Sequence, residues 1–100
     1  MQNIKFSYLY RDGGNYKNFG SVVFKGDDQI KLEDLEVLIK SELIDGTWFY
    51  ASQWRLPDLH FSIWDDEADP TFHEFEELEY SDETANIPLT LQEFMFLINQ

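Results

Sequence analysis

The stretch Ile4-Lys5-Phe6-Ser7-Tyr8-Leu9-Tyr10 constrains the fold more than any other part of the chain. Ile4, Phe6, Tyr8 and Tyr10 recur at every second position, with Lys5 and Ser7 between them. That is the period of a half-buried strand and cannot lay one apolar stripe along a helix. Arg11-Asp12-Gly13-Gly14-Asn15 follows, turn chemistry in which glycine takes positive φ without penalty, and the β-branched and aromatic run FGSVVF at 19–24 reads as the returning strand. A β-hairpin is predicted.

A hairpin cannot bury its apolar face by itself, so the rest of the chain must cover it. Over residues 30–44, Leu32, Leu35, Leu38, Ile39 and Leu43 share one side at helical spacing, with Asp27 or Asp28 as the expected cap and Asp45-Gly46 as the stop. Thr90 and Glu93 form the pattern of a capping box ahead of Leu91, Phe94, Leu97 and Ile98, which predicts a second, carboxy-terminal helix. Between the helices, LHFSIW at 59–64 alternates Leu59, Phe61 and Ile63 against His60, Ser62 and Trp64 as a third strand would. The segment 71–80 fits a helical stripe through Phe72, Phe75 and Leu78 or an acidic edge strand; the strand is favoured. The aromatic run at 47–54 reads as a short strand or a loop, with Trp48, Phe49, Tyr50 and Trp54 favoured as core. The expectation is one α+β domain over residues 1–100: an antiparallel sheet of about four strands with two helices packed on it, order ββαββα.

Charge is divided unevenly. Residues 1–55 hold eight acids and seven bases, whereas residues 56–100 hold twelve acids and no lysine or arginine, for a net charge of -13. This balance disfavours direct contact with nucleic acid or an anionic membrane and favours a basic protein partner. Hydrophobic residues at 43% and aromatic residues at 17% are nonetheless ample for a core. The absence of cysteine removes disulfides, thiolate nucleophiles and cysteine zinc sites. The amino terminus does not read as a signal peptide and no apolar run approaches the length of a membrane span, so a cytoplasmic location is expected.

The candidate partner-binding residues are Asp65, Asp66, Glu67, Asp69, Glu74, Glu76, Glu77 and Glu79, from a stretch at 64–83 with ten carboxylates in twenty positions. Read blandly, they are a solvated edge that resists aggregation. Asp65, Glu67, Asp69 and Glu76 also occupy positions 1, 3, 5 and 12 of an EF-hand count, but Pro70 stands where that loop needs glycine, leaving only a looser divalent site around Asp65, Asp66, Glu67 and Asp69. A third reading is mimicry of nucleic acid, since alternate carboxylates on a strand lie about 6.6 Å apart. No catalytic residue is assigned and no cofactor is expected: nucleophile elbows and phosphate loops are absent from the sequence. His60 and His73 flank the acidic loop and read as solvated structural residues; a catalytic role would require them apposed in a concave pocket.

With its opening YLYRDGGNYKNFGSVVF and the later LIDGTWFYASQWRLPDLHF, the chain resembles a family of short, acidic, uncharacterised bacterial proteins sharing a YRD..NYK..G.VVF start. The resemblance covers about residues 6–80 and implies a bacterial origin. It brings no activity and no site residue with it.

Overall fold

A computed structural model describes residues 2–100. It contains β1 (Asn3–Arg11), β2 (Lys17–Phe24), α1 (Leu32–Glu42), β3 (Trp48–Phe49), β4 (His73–Ser81) and α2 (Leu91–Ile98). The strands form one antiparallel sheet in the order β2-β1-β4-β3. The α+β architecture and the order ββαββα are those expected from the sequence.

The β1–β2 hairpin pairs Ile4 with Phe24, Phe6 with Val22 and Tyr8 with Gly20, so the alternating residues of β1 share a face with those of β2. Its turn differs in detail from expectation. The left-handed residue is Asn15, at φ 68°, rather than either glycine, and Asp12 Oδ1 accepts from the amides of Gly14 and Tyr16. Gly13 is required for a different reason: a Cβ there would lie 2.4 Å from the Ala68 carbonyl oxygen.

Both helices cover the same face of the sheet. Phe6 is the hub, its ring 5.7 Å from Phe49, 6.4 Å from Trp54, 5.2 Å from Phe75 and 5.8 Å from Phe94. Leu35 and Ile39 of α1 and Leu91, Phe94 and Ile98 of α2 complete the core. Phe49 and Trp54 belong to it, as expected, while Trp48 is half-buried. The capping box of α2 is present: Glu93 N–H donates to Thr90 Oγ1 at 3.1 Å and Thr90 N–H to Glu93 Oε1 at 2.9 Å. For α1 the expected aspartate cap is not. Its N-cap is Lys31 without a side-chain bond, and Asp27 instead accepts from Gln29 N in the preceding turn.

Two further departures shape the site. The third strand is Trp48–Phe49 and not 59–64, which has no strand pairing. β3 already occupies the outer side of β4 at His73 and Glu74, so no free edge is left there for 59–64. Instead the Leu59 amide donates to His73 Nε2 at 3.0 Å and Asn18 Nδ2 donates to the Leu59 carbonyl at 2.9 Å. The second departure is a bulge. Ser7 pairs with Glu77 but Tyr8 with Phe75, which leaves Glu76 as an extra residue on β4. The phase of β4 is thereby reversed, so that His73 and Phe75 join Leu78 on the core side.

Candidate functional site

The acidic residues fall into two groups. Asp65, Asp66 and Glu67 are exposed in the long connection before β4, and Asp69 closes that loop from within. Asp69 Oδ1 accepts from Gly13 N at 2.8 Å and its Oδ2 from Asp65 N at 2.9 Å, while Asp65 Oδ1 accepts from Glu67 N at 3.0 Å. These backbone bonds hold the Asp69 carboxyl below the usual carboxylate range. The loop is thus fastened to the tip of the β1–β2 hairpin. Beside it stand Tyr16, Ile63 and Trp64, which are 72%, 86% and 39% exposed. Together with Asp12, Lys17, Phe61, Ser62 and Asp69, Tyr16 and Ile63 line a hollow of about 480 Å³.

Glu74, Glu77 and Glu79 pair with Leu9, Ser7 and Lys5 across the sheet, on the face away from the helices. Glu74 is engaged by Arg11, whose Nε lies 2.7 Å from Glu74 Oε2. Lys5 donates to Glu83 at 2.7 Å rather than to its cross-strand neighbour. Glu77 and the bulge residue Glu76 are exposed. The proposed metal set of Asp65, Glu67, Asp69 and Glu76 does not converge. Two of its carboxylates are turned onto local amides and Glu76 lies on β4, so among the described residues these four form no group of metal-binding size.

The structure gathers a different group. Asp58, His60 and His73 each bring one ligand atom to within 4.8 Å of the others. Their convergence is built from the core outward. Trp54 and Leu56 are buried, and the Tyr8 hydroxyl donates to the Pro57 carbonyl, fixing the chain over β1 just before Asp58. Leu59 then packs over Gly20, where a Cβ would come within 2.8 Å of Leu59 Cδ2. His60 is brought against the Tyr10 ring at 4.3 Å, the Trp64 ring at 4.9 Å and the His73 ring at 5.0 Å. From the sheet side, the bulge in β4 directs His73 inward among Tyr8, Tyr10 and Phe49.

His73 is only 1% exposed, contrary to the solvated role expected of it, His60 is half-buried, and the two rings stand apposed against one cavity, the arrangement a catalytic role would require. Burial lowers the His73 pKa, and the neighbouring His60 lowers it further, against the opposing pull of Asp58. The Leu59 N–H donates to Nε2, which makes that atom the accepting nitrogen of the ring. Asp58 Oδ1 contacts His60 Nδ1 and lies 3.4 Å from His73 Nε2. Burial works against the Asp58 carboxylate, but its bonds from His60 outweigh this and hold its pKa below the ordinary value. Two ring nitrogens, His60 Nε2 and His73 Nδ1, are buried without a hydrogen-bond partner among the described residues. The cluster forms one wall of a cavity of about 350 Å³ whose lining includes Tyr50, Ser52 and Thr71.

A lone Asp-x-His on an extended segment was the available sequence signal for this group, since positions two apart on such a segment share a side. The partner on β4 carried no such signal, because the glutamates around His73 suggested solvent. No helix among the described residues is long and apolar enough to cross a membrane. Comparison with protein-family models, curated proteins and solved structures yields no match.

Proposed function

We propose that the protein is a non-catalytic binding module that meets a basic protein partner through the acidic surface formed by residues 65–83. The observation carrying this reading is the fastening of the 65–69 loop to the hairpin tip by Asp69. It sets the loop beside the exposed Tyr16 and Ile63, which share a hollow with Asp12, Lys17 and Asp69, while the Trp64 indole N–H donates to Asp66. Apolar and aromatic anchors beside a mainly acidic loop are the composition of an interface that selects a basic partner. A lysine or arginine side chain suits it, the stem lying on the rings and the head reaching the carboxylates.

The test is affinity capture of proteins from bacterial lysate with the wild-type chain and with a variant carrying Asp66→Lys, Glu67→Lys, Glu77→Lys and Glu79→Lys. These positions avoid Glu74, which Arg11 already engages. Capture of a basic protein, weakened by salt and lost in the variant while near-UV circular dichroism is unchanged, is the expected result. Equal capture by both chains would refute the reading.

A further inference from the structure

We propose that Asp58, His60 and His73 form a binding site for one divalent transition-metal ion of the zinc class. The site adjoins the acidic surface through the Trp64–His60 contact but does not depend on that surface having a partner. Three donor groups converge there, each with a ligand atom within 4.8 Å of the others, and His60 Nε2 and His73 Nδ1 are buried without a hydrogen-bond partner among the described residues. Asp58 Oδ1 and His73 Nε2 stand 3.4 Å apart, and Nε2 accepts the Leu59 N–H. A cation between the two atoms would be shared by both as ligands.

The spacing suits such an ion. Tetrahedral zinc holds nitrogen and oxygen ligands at roughly 2.1 Å, which sets ligand atoms about 3.4 Å from one another. The separation of Asp58 Oδ1 from His73 Nε2 is already of this size. His60 Nδ1 is closer to the carboxylate, being hydrogen-bonded to it, and must withdraw as the ion enters. The Asp58 side chain, 65% exposed, is free to accommodate this. Leu59 must also release Nε2, exchanging one amide bond for a metal bond.

Two imidazoles and one carboxylate favour zinc, cobalt or nickel over calcium and magnesium, which take oxygen donors. Three protein ligands leave a fourth position, and the adjoining cavity offers space for water there. The ligands come from two separate parts of the chain, 58–60 and the start of β4, so the ion would link the long connection to the sheet.

The experiment uses tag-free, chelator-stripped full-length protein, titrated with Zn²⁺ by calorimetry in the presence of millimolar Ca²⁺. Calcium occupies weak sites on the acidic surface and leaves nitrogen-containing sites free. One Zn²⁺ bound per chain is expected, with a rise in melting temperature that Ca²⁺ alone does not produce. Cobalt should give the visible absorption of a tetrahedral complex. His60→Ala and Asp58→Asn should each weaken binding at least about tenfold. Both residues lie nearer the surface than His73, and circular dichroism of each variant without metal confirms that it is folded. Glu67→Gln, outside the cluster, should bind as the wild type does. Absence of one-to-one zinc binding, or an affinity unchanged by both cluster variants, would overturn the proposal and leave the group as a hydrogen-bonded structural cluster.

Discussion

His73→Leu separates what the fold requires from what the Asp58–His60–His73 group is for. In the native protein the ring contributes one hydrogen bond, from the Leu59 amide, and carries one buried nitrogen, Nδ1, with no partner. Leucine forfeits the first and relieves the second. An abandoned amide costs about 1–3 kcal/mol and an orphaned buried polar atom about the same, so the two changes oppose each other at similar size. Leucine is also apolar, of comparable bulk, and surrounded by Tyr8, Tyr10 and Phe49. The expected change in unfolding free energy is therefore within about 1 kcal/mol of zero. Phe94→Ala supplies the scale for a true core position. Its ring lies 4.7 Å from Phe24 and 5.9 Å from Trp54, and its loss should cost about 3–5 kcal/mol. Urea unfolding read at unchanged slope measures both variants. A His73→Leu loss as large as that of Phe94→Ala would show that the histidine is a structural keystone and would refute the reasoning.

Thr90→Ala removes one half of the reciprocal cap on α2 and should lower stability by about 1 kcal/mol, seen as a lower urea midpoint; an unchanged midpoint would mean that packing alone fixes the helix start. Tyr10 gives a pH dependence at the alkaline end. Burial, reinforced by Asp69, Asp12 and Asp58, raises its pKa to about 12 from an ordinary 10.0. Because the folded state holds this proton more tightly than the unfolded state, the associated stability is complete below about pH 10 and is lost as pH rises towards 12. Tyr10→Phe cannot ionise there, so its near-UV signal should decline less steeply over that range; an identical alkaline profile would count against the assignment.

The parts of the fold that were legible in sequence are those where local chemistry and tertiary structure agree. The alternation of Ile4, Phe6, Tyr8 and Tyr10 survives because β1 lies between β2 and β4 with only one face under the helices. The Thr90–Glu93 box survives because both of its bonds are within four residues. Legibility fails where a distant element decides. Residues 59–64 alternate as a strand should, yet Trp48–Phe49 holds the position they would need. The pattern of β4 looked ambiguous because it changes phase: His73 and Phe75 are two apart, Leu78 is three further on, and Glu76 absorbs the difference. That same residue concealed the candidate metal site. Without the phase change, the pattern groups His73 with the glutamates around it, and nothing in the sequence places it opposite His60.

The central position of β1 also dictates the order in which the chain can assemble. Its pairing with β2 closes a short turn, whereas its pairing with β4 joins Phe6 to Leu78 and must await most of the chain. A newly formed hairpin therefore presents one open strand edge carrying Phe6 and Tyr8, a template onto which another molecule could add its own strand. The strand that finally fills this edge carries Glu74, Glu76, Glu77 and Glu79, and copies of so acidic a segment repel one another before any of them is in place. The carboxylates of β4 thus act twice: as a late-arriving strand they discourage intermolecular mispairing, and once folded they become the surface on which recognition of a basic partner is proposed.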